Sequence, residues 1–149
     1  MAGYKYKLQN ILNLRENIEK DKKNQFGAAM QRLEREKNRL AELYRELTEL
    51  QQKLEAEASQ GIPVNELKQL VDFVGYYNRS IANQKVKIKM AEDYLETCRQ
   101  ELIESTRNKK MMEKLKAIDY KEYQYEEQRK EDKLTDDLVT FRESRKDQE

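Results

Sequence analysis

Apolar residues recur along this chain at alternating steps of three and four, the spacing that lines one side of a long helix. In the second half the series runs Leu67, Leu70, Val74, Tyr77, Ile81, Gln84, Ile88, Ala91, Leu95, Cys98, Leu102, Ser105, Lys109 and Met112. Eleven of these fourteen positions are apolar or weakly polar. The run is well beyond the roughly three to four heptads that mark a coiled coil. In the first half the same steps give Phe26, Ala29, Leu33, Glu36, Leu40, Leu43, Leu47, Leu50 and Leu54. Gly61 and Pro63, the only proline, divide the two series. Glycine can take the left-handed conformation that ends a helix, and proline suits the first turn of the next. The pattern predicts an all-α chain: helix 1 over about 4–58, a turn at 59–64 and a longer helix 2 over about 65–145.

The two series also predict how they pair. Folding back at Gly61 makes the numbers of paired residues sum to a constant. At 124, Leu54 meets Leu70, Leu50 meets Val74, Leu47 meets Tyr77, Leu43 meets Ile81 and Leu33 meets Ala91. Every layer matches on reversal, which predicts a single antiparallel coiled-coil hairpin over 1–149, closed within one chain. Two layers, Leu40–Gln84 and Glu36–Ile88, put polar groups side by side in the seam, as a register-setting step does. Towards the termini Lys22, Glu19 and Arg15 would occupy seam positions at a sum of 124. The apolar series there is instead Leu8, Ile11, Leu14 and Ile18, which pairs with Ile118, Leu115 and Met112 at 126. That predicts a phase shift between Ile18 and Phe26. About the last 25 residues have no partner, although Tyr123, Leu134, Leu138 and Phe141 continue an apolar series. A lone helix in water is marginal, so this stretch is expected to fray.

Composition explains why no other fold competes. Of 149 residues, 40% are charged and 37% hydrophobic, with four Gly and one Pro. A globular core at this length needs more apolar residues, whereas a thin seam does not. With no His there is no imidazole base or His-ligated metal, and no glycine sits in a phosphate-binding loop. No cofactor and no catalytic residue is expected. Cys98 stands alone, in the seam opposite Phe26, as a small hydrophobe. No apolar stretch approaches the length of a membrane span. The 30 basic residues balance 29 acidic ones, so bulk attraction to nucleic acid or lipid is not expected. What these exclusions leave is a non-enzymatic helical protein, for which a structural tether in some assembly is one reading.

The two ends carry more. Tyr4-Lys5-Tyr6-Lys7-Leu8-Gln9-Asn10-Ile11-Leu12-Asn13-Leu14-Arg15-Glu16 resembles the start of the FliJ family of flagellar export proteins. Glu113-Lys114-Leu115-Lys116, Tyr120, Tyr123 and Glu131-Asp132-Lys133-Leu134-Thr135-Asp136-Asp137-Leu138 resemble its C-terminal signature, with Asp137 where the family usually has Glu. Gly61-Ile62-Pro63-Val64 lies where that family folds back. The resemblance implies a cytoplasmic component of the type III export apparatus at the flagellar base, peripheral to the inner face of the membrane and without insertion into it. It further implies three partners: the hexameric export ATPase, entered by the open end; the cytoplasmic part of the export gate; and export chaperones.

Two candidate surfaces follow. At the open end, Tyr4, Tyr6, Leu8, Arg15, Tyr120, Tyr123, Leu134 and Leu138 are the candidate contacts for the ATPase ring. Near the turn, with Leu67 as heptad position a, Phe73 falls at g and Tyr76 at c, on one flank with Tyr77 at the seam edge. Arg39 and Leu43 of helix 1 complete a candidate gate contact, carried by the resemblance onto Phe73 and Tyr77; the family often has Leu where Tyr77 stands. Aromatics off the seam either cover it from the side or anchor a partner.

Overall fold

The computed structural model describes residues 3–148 and contains two helices, α1 at Gln9–Gln60 and α2 at Val64–Asp147. The longer second helix packs back against the first as an antiparallel pair. The reversal needs only residues 61–63, shorter than the six-residue turn expected. Gly61 makes this possible with a φ of 80°, in the left-handed region that costs a side-chain-bearing residue ~1–2 kcal/mol. The Pro63 carbonyl accepts from the Leu67 amide at 3.1 Å, opening α2 where the missing proline N–H costs nothing. Helix 1 begins at Gln9 and not near Tyr4. Residues 3–6 are outside any regular element, and the Gln9 amide donates to the Tyr6 carbonyl at 3.1 Å across the turn that follows.

The chain divides into two units, one of Asp21–Ile103 and one of Met1–Lys20 with Glu104–Glu149. In the first, the turn unit, the expected seam is the buried one. Ala29, Leu43, Leu47, Ile81, Ala91 and Cys98 are buried, and Leu40, Val74 and Tyr77 pack against the cluster of Leu43, Leu47 and Ile81. The polar step closes on itself. Gln84, 5% exposed, donates through Nε2 to the Glu36 carbonyl at 2.9 Å and to the Glu36 carboxylate. Both polar groups are satisfied inside the seam, so the layer sets register without an orphaned donor.

The second, the terminal unit, corrects the phase shift. Leu12, Glu19 and Ser105 are buried, and Arg15, Lys109 and Met112 are half-buried, which are the positions selected by a sum of 124. Ile11, Leu14, Leu115 and Ile118 are each at least 42% exposed. Polar side chains hold the seam because they satisfy one another across it. Lys109 Nζ lies 2.9 Å from Glu19 Oε1, and Lys116 Nζ donates to Gln9 Oε1 at 2.8 Å. No stutter is needed once those groups are paired, so the heptad keeps its phase. The stretch expected to fray is helical to Asp147, with every described residue from Gln128 exposed. Local bonds support it, among them Gln128 Nε2 to Asp132 Oδ1 at 3.1 Å and Thr135 Oγ1 to the Glu131 carbonyl at 3.0 Å.

Candidate interaction surfaces

In the turn unit, α2 presents Phe73 and Tyr76 outwards, each 55% exposed. Their spacing of three on one flank follows from 3.6 residues per turn, and with Gln69 and Asp72 they line an open groove of about 440 Å³. Tyr76 stands edge-to-face on Tyr77, with ring centroids 5.6 Å apart at 75°. Tyr77 is half-buried, so its ring belongs to the core and its edge to the patch. A hydrogen bond to the Glu46 carboxylate, with burial behind it, holds its phenol above the ordinary tyrosine value. Arg39 is drawn to the same carboxylate, 4.0 Å from Glu46 Oε1 and 3.2 Å from Glu42 Oε2. Leu43, at 3% exposure, lies beneath the patch and presents no surface of its own. It supports Tyr77 from below.

In the terminal unit the aromatic residues named from sequence gather around Tyr4. Its ring centroid is 5.0 Å from that of Tyr120 and 5.1 Å from that of Tyr123, and the latter two stack at 6.4 Å with 23° between planes. The Tyr4 hydroxyl donates to Asp119 Oδ2 at 2.7 Å. Desolvation first and the Asp119 carboxylate second push the Tyr4 phenol up to about 12. These contacts tie the segment before α1 to α2, and helix does not begin at Tyr4. Tyr6 is half-buried, and its hydroxyl has no hydrogen-bond partner among the described residues. Arg15 is half-buried in the seam, and Leu8 is 40% exposed. Leu134 and Leu138, exposed at 62% and 54%, stand apart from this cluster on the unpaired end of α2.

Sequence reasoning missed Asp119, and it counted Lys109 in the seam but set Glu19 aside in favour of the apolar series. The signal was present: continuing the 124 sum past Phe26 selects the layer of Glu19 with Ser105, and that of Arg15 with Lys109. Hydropathy alone discards such layers. Among the described residues no cluster of side chains could hold a metal ion, and no helix is long and apolar enough to cross a membrane.

The arrangement offers two aromatic surfaces on paired helices. The family model described as Flagellar FliJ protein matches residues 4–148. The chain belongs to the FliJ family. Membership makes it a component of the flagellar protein export apparatus, and the paired helices are those expected of a coiled coil in that setting. No curated protein and no solved structure matches the chain.

Proposed function

We propose that this FliJ family chain is a non-catalytic coiled-coil component that engages the hexameric export ATPase through its terminal unit and the export gate through its turn unit. Its place is the cytoplasm, at the inner face of the membrane beneath the flagellum, where it also meets export chaperones. The observation that carries this reading is the Tyr4, Tyr120 and Tyr123 cluster: three aromatic rings join the segment before α1 to α2 by contacts across 116 or more residues of sequence. Such a cluster makes the terminal unit a defined surface and not a splayed pair of ends. Aromatic rings are the side chains most enriched at interface hot spots. A contact with an ATPase ring would act by ordering and stabilising the ring.

Removal of residues 120–149 tests it. The truncated chain is expected to retain helical content in the turn unit and lose stimulation of the purified export ATPase. Normal stimulation by that truncated chain overturns the ring contact. For the gate, Phe73→Ala with Tyr76→Ala is expected to leave ATPase stimulation intact and abolish pull-down of the gate's cytoplasmic region. Tyr77 is avoided in that test because its ring also packs on the core.

A further inference from the structure

The apolar residues that the terminal unit leaves out of its seam form a surface on its outside. With Phe26 and Leu67 as position a of their heptads, Ile11 and Ile18 fall at g and Leu14 at c of α1; Leu115 falls at g and Met111 and Ile118 at c of α2. In an antiparallel pair the g positions of both helices lie along one side. The turn unit illustrates this: Arg39, Ser80 and Lys87, all at g, line one groove. Met111, Leu115 and Ile118 are 54%, 44% and 56% exposed. Arg107, Lys114 and Lys121, at f, run along the outer edge of this stripe. Lys114 and Lys121 have no acidic residue three or four positions away on α2, so no intrahelical pair offsets their charge.

A matching surface lies further along the same helix. Leu134, Leu138 and Phe141, exposed at 62%, 54% and 62%, repeat the plus-four, plus-three spacing of Met111, Leu115 and Ile118. Glu131 and Asp137 border them, about 60° round the helix on either side. The charges are opposite. Residues 105–121 hold six basic side chains (Arg107, Lys109, Lys110, Lys114, Lys116, Lys121) against Glu113 and Asp119. Residues 131–141 hold four acidic ones (Glu131, Asp132, Asp136, Asp137) against Lys133. Because an acidic residue borders the tail stripe on each side, docking in either direction lays one against the basic row.

We propose that the flank of Ile11, Leu14, Met111, Leu115 and Ile118 binds residues 131–141 of α2 from a second copy of this chain. The tail of the same chain cannot reach it, because flank and tail lie on one uninterrupted helix, Val64–Asp147. The contact is head-to-tail and not reciprocal. On an ideal helix the two stripes point about 140° apart, so a two-fold pair of straight helices cannot make both contacts at once. Association therefore grows beyond a dimer with concentration. The tail shares Leu134 and Leu138 with the ring reading, so the two contacts exclude one another there. The self-association does not depend on that reading, and its test contains no ATPase.

The full chain is examined by sedimentation velocity and light scattering over a wide range of concentration. The weight-average mass is expected to rise from the 18.0 kDa of one chain past twice that value, and to fall back in high salt. Leu115→Glu spoils the flank and Leu138→Arg spoils the tail. Both positions are exposed, so circular dichroism is expected to match the parent chain. Each variant alone stays at the mass of one chain. An equimolar mixture doubles in mass and stops there, since one intact tail meets one intact flank. A parent chain that remains a monomer throughout overturns the proposal. So does a mixture that fails to double, which would leave the flank to a foreign partner, or a single variant that still associates.

Discussion

The two units use one heptad geometry with different chemistry in the seam. The turn unit buries Leu43, Leu47 and Ile81, with Leu40, Val74 and Tyr77 against them. The terminal unit buries Glu19 and Ser105 beside Leu12, and ties Lys109 to Glu19 and Lys116 to Gln9. Apolar burial contributes about 25 cal/mol per Å² removed from water. A paired charge in the seam returns little beyond its own desolvation, but it penalises every register that would leave it unpaired. The turn unit is therefore where the stability resides. The terminal unit spends its seam on specificity and leaves five large apolar residues exposed on its flank. An element meant to meet partners is drawn from the less stable end of a structure, where few apolar contacts oppose local opening.

The comparison can be broken most directly in the turn unit. Leu43→Ala should cost ~2–5 kcal/mol in denaturant unfolding followed by circular dichroism, the range for a buried leucine losing its side chain. Glu19→Ala should cost clearly less than Leu43→Ala in the same measurement. Replacing both partners, Glu19→Leu with Lys109→Met, should recover the loss or exceed it, because a buried pair is readily replaced by apolar groups of similar size. A Glu19→Ala penalty equal to that of Leu43→Ala would show that the polar seam is as strong as the apolar one.

The smallest effect is a change with pH at Tyr4. Its phenol is raised from 10.0 to about 12 in the folded chain, so the folded state holds that proton more tightly than the unfolded state does. The sign follows: the contribution is complete below pH 10 and is lost as pH rises through 12. In absorbance titration Tyr4→Phe should remove one of the late-titrating tyrosines, while the turn unit's hydrogen-exchange protection stays unchanged. A Tyr4 that titrates with the exposed tyrosines would mean that the aromatic cluster does not form.

Much of this was legible beforehand, and the legible part was the apolar one. Leu40, Leu43, Leu47, Leu50 and Leu54 repeat against Leu70, Val74, Tyr77 and Ile81 because a helix buries what recurs at 3.5 residues, whatever the rest of the chain does. Phe73 and Tyr76 could be placed on a flank by the same counting. The aromatic flank near the turn was legible in its exposed members, and counting also placed Leu43 in the seam, where the fold keeps it. Near the termini the same counting misled. Ile11, Leu14 and Ile18 look like a seam in one dimension, and Glu19 looks like an interruption.

The sequence by itself determined two long helices, their antiparallel order, the turn at Gly61 and the register of the apolar layers. These depend on periodicity and backbone preference, which are local properties. Only the tertiary structure decided the phase of the terminal unit, the burial of Glu19, and the docking of Tyr4 on Asp119, Tyr120 and Tyr123. Each of these depends on a pair more than 80 residues apart, such as Glu19 with Lys109 across 90 positions and Tyr4 with Asp119 across 115. A charged residue is excluded from a seam until its counter-charge is present, and no hydropathy pattern records where that counter-charge will be.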